Sequence, residues 1–164
     1  MSPAPKPEPV QAPVTGYPGT QVSGNTTDAA SHLQAPDGCE SSGSTGIAGE
    51  VVYGYVLTRN DLVGLDFDTE GSALDTVLYV RGDDCGTAGD LAACDDDTLG
   101  TTSRVSIADP APAVYYAIVD GKSNLGGAYK LRIVGRIGSG GSCTTGDKAM
   151  VCDSGLSCTS GTCQ

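Results

Sequence analysis

Short alternating runs of apolar residues occupy the middle of this chain and are absent from its flanks. From about Glu50 the run Val51-Val52-Tyr53-Gly54-Tyr55-Val56-Leu57 leads into a turn signal at Arg59-Asn60-Asp61. In Leu62-Val63-Gly64-Leu65-Asp66-Phe67-Asp68 the odd positions Val63, Leu65 and Phe67 are apolar, with small or charged residues between them. A period of two is that of a strand with one buried and one wet face. The segments Asp75 to Arg81, Thr102 to Ile107 and Val114 to Asp120 continue the series, and Tyr129-Lys130-Leu131-Arg132-Ile133 alternates again. Turn signals separate the runs at the spacing of an all-β, antiparallel sandwich ending near Ile137.

Composition narrows the class. The 24 glycines argue against a helical bundle, because glycine is costly inside helices, while the tyrosines, valines and threonines favour strands. Residues 1–37 hold most of the prolines and almost no apolar period, which predicts an extended leader or linker carrying the only histidine, His32. In an alternative role, Val10, Val14, Tyr17 and Val22 add a strand to a free sheet edge of a partner. The expected division is a leader over 1–37, a sandwich over 38–138 and a Cys-rich tail over 139–164.

Charge and cysteine usage bear on surroundings. Twenty acidic against nine basic residues give a net charge of -11, which repels phosphate backbones and sets nucleic acid aside as a partner. No apolar run approaches the roughly 20 residues that span a bilayer. The first residues lack the charged-then-apolar order of a signal peptide, as expected of a mature or excised segment. Seven cysteines crowded around turns and the tail point to an oxidising, extracytoplasmic compartment.

The run Leu74-Asp75-Thr76-Val77-Leu78-Tyr79-Val80-Arg81, then Cys85, Cys94-Asp95-Asp96-Asp97, Ser103-Arg104-Val105, Tyr115-Tyr116-Ala117-Ile118-Val119-Asp120-Gly121 and Gly127-Ala128-Tyr129-Lys130-Leu131-Arg132-Ile133 resembles, in order and spacing, the bacterial pre-peptidase C-terminal domain. The resemblance covers roughly Gly46 to Gly135 and is closest to the disulfide-containing variants of secreted proteins. It implies a jelly-roll-like β-sandwich attached to secreted peptidases or other extracellular enzymes, or repeated in surface proteins, and it implies no catalysis by the domain itself. The segment from Cys143 to Cys163 resembles small Cys-rich modules that follow such domains. Its cysteines, Cys143, Cys152, Cys158 and Cys163, can close two disulfides in three ways. So short a segment has almost no core, and covalent bridges must supply its order.

Cys85 and Cys94 flank a Gly-containing loop and are expected to staple it with a disulfide. A thiol nucleophile or metal ligand is the poorer reading, because the one histidine lies in the leader. Cys39 is then the odd cysteine, bonded to a missing part of the protein, to another chain or to the tail. The acidic cluster Asp83, Asp84, Asp90, Asp95, Asp96 and Asp97 raises the question of calcium, a hard cation that takes oxygen ligands, with Asp83, Asp84, Asp95, Asp96 and Asp97 as the candidate set. No regular calcium-loop spacing is present, and aspartates of this kind also cap turns through backbone amides. Asp66, Asp68 and Glu70 form a second acidic edge, which a solvated face explains equally well. Asp75 and Asp120 fall within apolar strand sequence and need exposure or hydrogen bonds. For the adhesion-like tripeptide Arg81-Gly82-Asp83, chance is the better account.

These readings predict a non-enzymatic module of a secreted or surface bacterial protein, contacting substrate, glycan or cell-envelope material. Two other roles compete. One is a structural subunit assembling with copies of itself through strand exchange or an intermolecular disulfide, and the other is a folding or processing accessory of an attached peptidase.

Overall fold

The computed structural model describes residues 21–33, 35, 36, 39, 48–82 and 91–164. These form strands β1 (Val22–Asn25), β2 (Val51–Leu57), β3 (Leu62–Asp68), β4 (Thr76–Gly82), β5 (Leu91–Asp95), β6 (Arg104–Ala108), β7 (Ala113–Gly121), β8 (Ala128–Ile137), β9 (Met150–Cys152), β10 (Cys158–Thr159) and β11 (Thr162–Cys163). No helix occurs among the described residues.

Sheet one runs β1-β8-β3-β6 and sheet two runs β2-β7-β4-β5, with all these neighbours antiparallel. The chain crosses between sheets at every connection from β1 to β8 except the β4–β5 hairpin. Eight strands wound in this order are a jelly roll. The all-β sandwich read from the alternation is therefore the fold.

The core lies between the sheets and is built from alternate residues. In β8 the pattern is regular: Tyr129, Leu131, Ile133 and Ile137 point inward, and Lys130, Arg132, Val134 and Arg136 point outward. In β3 the register shifts between Leu62 and Gly64, so that Leu62 joins Leu65 and Phe67 in the core while Val63 is only half-buried. A bulge inserts one residue and reverses the side on which earlier residues fall. The expectation that Val63 faces inward is corrected on this ground. Phe67 meets Tyr55 edge-on at 6.4 Å between ring centroids. Tyr53 of sheet two and Tyr129 of sheet one share a buried hydroxyl–hydroxyl hydrogen bond of 2.5 Å, so that neither buried hydroxyl lacks a partner.

The leader expected over 1–37 ends sooner than its composition suggests. Val22–Asn25 pairs with Ala128–Leu131 of the same chain and is the first strand of the jelly roll. Gly24 lies opposite Tyr129, and a Cβ there would collide with the tyrosine hydroxyl. The chain then crosses over the outer face of sheet two. Val77, Tyr79 and Ile118 alternate with inward-facing Leu78, Val80 and Val119, and this outer row is covered by Leu33, Ala35 and Cys39. Covering both faces of β4 explains why Val77-Leu78-Tyr79-Val80 is continuously apolar rather than alternating.

The tail is likewise part of the body. β9 adds to β8 in parallel, on the flank opposite β3. Met150 and Cys163 are buried within the main core. Disulfides join Cys143 to Cys158 and Cys152 to Cys163, which selects one of the three pairings left open by the sequence.

Candidate functional site

Cys94 is bonded to Cys39, not to Cys85. The β4–β5 register places Cys94 opposite Tyr79, on the outer face of sheet two, where the segment after β1 passes with Cys39 buried against it. The expected Cys85–Cys94 staple is thereby corrected, and the odd cysteine becomes Cys85, which lies outside the described residues. Three intrachain disulfides suit an extracytoplasmic setting.

The acidic loop after β5 is divided between two tasks. Asp95 accepts hydrogen bonds from the backbone N–H of Thr98 (3.2 Å), the Thr98 hydroxyl (2.6 Å) and the backbone N–H of Arg104 (2.8 Å). It caps the β5–β6 turn. Asp96 and Asp97 instead converge with Asp75, which enters β4 from the neighbouring loop, and one carboxylate oxygen from each lies within 4.8 Å of the others. Into this group Lys122, just after β7, places its ammonium, 3.1 Å from Asp96 Oδ2 and 2.6 Å from Asp97 Oδ2.

The charges respond to one another. The hydrogen bonds it donates to Asp97 and Asp96 hold the Lys122 ammonium well above the usual lysine range. Burial pushes the Asp75 carboxyl up, Lys122 opposes this, and Asp97 and Asp96 add to it. Asp75 Oδ1 is buried with no hydrogen-bond partner among the described residues.

Of the five-carboxylate calcium set, only Asp95, Asp96 and Asp97 are among the described residues. Calcium takes about six to eight oxygens. Asp95 already accepts three hydrogen bonds as a turn cap, and a lysine ammonium lies between Asp96 and Asp97. Asp83, Asp84 and Asp90 lie outside the described residues. The sequence reading missed Asp75 and Lys122 as members of this cluster. The signal was a lysine two residues beyond Asp120, although only the jelly-roll connections bring it beside the β5–β6 loop.

The second acidic edge is matched by cations on the same sheet face. Arg132 donates to Asp68 Oδ2 from Nε at 3.0 Å and from Nη2 at 2.9 Å, and approaches Glu70 at 3.3 Å. Arg104 lies 3.8 Å from Asp68 and 3.7 Å from Glu70. Register explains the pairing, because Asp68 stands between Arg104 on β6 and Arg132 on β8. Arg136 lies across Gly64 and bridges Asp66 (3.0 Å) to Asp153 of the tail (2.7 Å), holding the Asp153 carboxyl below its ordinary range. A row of paired charges, rather than a cation site, covers this face.

Beneath the segment that follows β1 lies a third polar group. Glu50 Oε1 accepts from the backbone N–H groups of His32 (2.7 Å) and Leu33 (2.8 Å), which latches that segment to the start of β2. Fully buried Asp120 accepts from the Gly121 N–H at 2.7 Å. The Arg81 guanidinium lies 5.7 Å from the Tyr79 ring centroid. Arg81 is only 5% exposed, and Asp83 of the tripeptide it begins lies outside the described residues.

No protein-family model matches the chain, and no curated protein matches it either.

Proposed function

We propose that this chain is a non-catalytic module of a secreted or cell-surface protein that holds its parent on extracellular polymer, glycan or cell-envelope material. The observation that carries this reading is the fastening of both flanks to one jelly roll: the N-terminal segment through Cys39–Cys94, and the tail through β9 and two further disulfides. A body closed in this way keeps its surface loops presented outside the cell without a large core. The resemblance to pre-peptidase C-terminal domains agrees, and it rests on the sequence motifs alone.

Two features bear on the manner of binding. Asp95, Asp97 and Asp68 are engaged with cations or amides of the chain itself, which favours a binding role over acid–base chemistry. Among the described residues Tyr53, Tyr55, Tyr79, Tyr115 and Tyr129 are buried and Tyr116 is half-buried, so stacking of sugar rings on a tyrosine platform has little to draw on there. Contact through polar loops is the expected mode, with modest affinity that weakens in salt.

Assembly by strand exchange or through Cys39 has less support, since Val22–Asn25 and Cys39 both find partners within the chain. The oxidised protein should be retained on insoluble polysaccharide, fibrous protein or isolated envelope in a sedimentation assay. Failure to sediment with all three classes would overturn the binding role.

A further inference from the structure

Lys122 is set between two carboxylates by backbone contacts on both sides. Its own N–H donates to the Asp75 carbonyl at 2.9 Å, which fixes the root of its side chain beside the start of β4. Across from it, the Asp96 carbonyl accepts from the Ser103 hydroxyl at 2.6 Å, and the Asp97 carbonyl accepts from the Gly100 N–H at 3.2 Å. The Lys122 ammonium then lies 3.1 Å from Asp96 Oδ2 and 2.6 Å from Asp97 Oδ2. The Asp96 side chain is 2% exposed and that of Lys122 18%, so their contact is largely shielded from water.

An amine and a carboxyl held in this way have a chemistry beyond that of an ion pair. We propose that Lys122 and Asp96 condense into an intramolecular isopeptide bond, with Asp97 and Asp75 carrying the protons.

The step balances without a co-reactant. The Lys122 ammonium passes one proton along its hydrogen bond to Asp97, which turns the nitrogen into a nucleophile. Its lone pair forms a bond to Asp96 Cγ. The nitrogen then gives up a second proton, one carbon–oxygen bond of Asp96 breaks, and that oxygen leaves with both protons as water. Nothing is oxidised or reduced. Asp75 is placed to deliver a proton to the departing oxygen, because one of its carboxylate oxygens lies within 4.8 Å of one from Asp96 and one from Asp97. Its burial favours the protonated form that a general acid needs.

Separate amines and carboxylates do not condense in water, so the driving force is the fixed geometry. Well-oriented intramolecular pairs reach effective molarities of about 10⁵–10⁸ M, and exclusion of water opposes the reverse hydrolysis. The two aspartates keep the neutral amine scarce, and the bond therefore forms slowly. It ties residue 96 to residue 122, 26 positions later (122 − 96), and closes a covalent ring through β6 of sheet one and β7 of sheet two. Like the disulfides it restricts the unfolded chain, and unlike them it survives reduction.

The intact oxidised chain, incubated for weeks at neutral pH, should become lighter by one water. A digest should then contain a branched peptide joining Asp96 to Lys122, with no tryptic cleavage after Lys122. Lys122→Arg keeps the cation and cannot form the amide, so its mass should stay at the unlinked value. Asp96→Asn should give the same linked product as the wild type, releasing ammonia instead of water. Asp75→Asn should slow linkage by about a hundredfold or more, the size of a lost general acid. A wild-type mass that never falls, a branch to a residue other than Asp96, or a water loss that persists in Lys122→Arg, as a cyclic imide at an aspartate would give, overturns the proposal; unslowed linkage in Asp75→Asn overturns the role of Asp75. If a variant fails to fold, the wild-type peptide map decides alone. Mass and branching do not depend on whether the chain binds extracellular polymer, so this bond and the binding role stand or fall separately.

Discussion

Cys39 is bonded to Cys94 across a separation of 55 residues, and this one bond fixes the segment after β1 onto the outer face of sheet two. In the chain-entropy account, closing so long a loop contributes about 4 kcal/mol. Replacing Cys39 with serine should lower unfolding free energy by up to about that amount. Replacing Cys85 with serine should leave the Cys39–Cys94 peptide pair in a non-reduced digest. Recovery of a Cys85–Cys94 pair from the wild-type protein would count against the assignment.

How much of this was legible in the sequence depended on whether a signal was local. The alternation of β8 gives its inward residues directly, since Tyr129, Leu131 and Ile133 obey a period of two. β1 carries no such signal. Val-Ser-Gly-Asn has one apolar residue, and what positions it is Gly24 lying against the Tyr129 hydroxyl 105 positions later (129 − 24). The Cys94 partner was hidden for the same reason, because loop proximity favours Cys85 whereas strand register turns Cys94 toward Cys39. Asp75 and Lys122 meet only because the jelly roll brings the β3–β4, β5–β6 and β7–β8 connections to one end. The aspartates were visible, and their cation was not.

The Tyr53–Tyr129 hydrogen bond links the two sheets inside the core. Tyr53→Phe leaves the Tyr129 hydroxyl buried without its partner and should cost about 1–3 kcal/mol. Adding Tyr129→Phe removes the orphaned hydroxyl, so the double variant should lose less than the sum of the two single losses. Additive losses in denaturant titrations would show that the two hydroxyls are not coupled.

Alkaline pH should unfold the protein through its buried tyrosines. Burial pushes Tyr55 up to about 12 and pushes Tyr79 and Tyr129 higher, from the ordinary tyrosine value of 10.0. A folded value above the unfolded one means that the neutral phenol is favoured in the native state. The resulting stability is complete below about pH 10 and is lost as pH rises through the folded values. Phenolate absorbance of these residues should therefore appear together with loss of the near-ultraviolet circular dichroism. Native-like dichroism with all tyrosines ionised would contradict their burial.

Asp75 carries the opposite expectation at neutral pH. Its folded value is raised by burial and by its neighbours Asp97 and Asp96, so the charged form it adopts near pH 7 is disfavoured in the native state. Asp75→Asn should raise the unfolding midpoint at neutral pH, and the advantage should vanish below the ordinary aspartate value of 3.8, where Asp75 is protonated in both states. Lys122→Ala should have the reverse effect at neutral pH, because Asp96 and Asp97 lose the ammonium between them. Calcium should not shift the wild-type midpoint, since Lys122 holds the centre of the cluster. A calcium-dependent rise in the wild type would show that the lysine yields to the ion.

The tail's contribution to the body can be measured at Met150. Its side chain is 7% exposed, and its sulfur packs so closely over Gly135 that a Cβ there would meet it at 2.6 Å. Truncation to alanine opens a void between β9 and β8, and methionine-to-alanine changes at buried sites cost about 2–5 kcal/mol. A loss in that range would come from the sandwich's own cooperative transition, because Met150 shares a core with Leu62, Leu131 and Ile137. If the tail were an independent module, the same substitution would melt the tail alone and leave the main transition where it was. A single lowered transition in calorimetry, set against two separated ones, decides between a docked tail and an appended one.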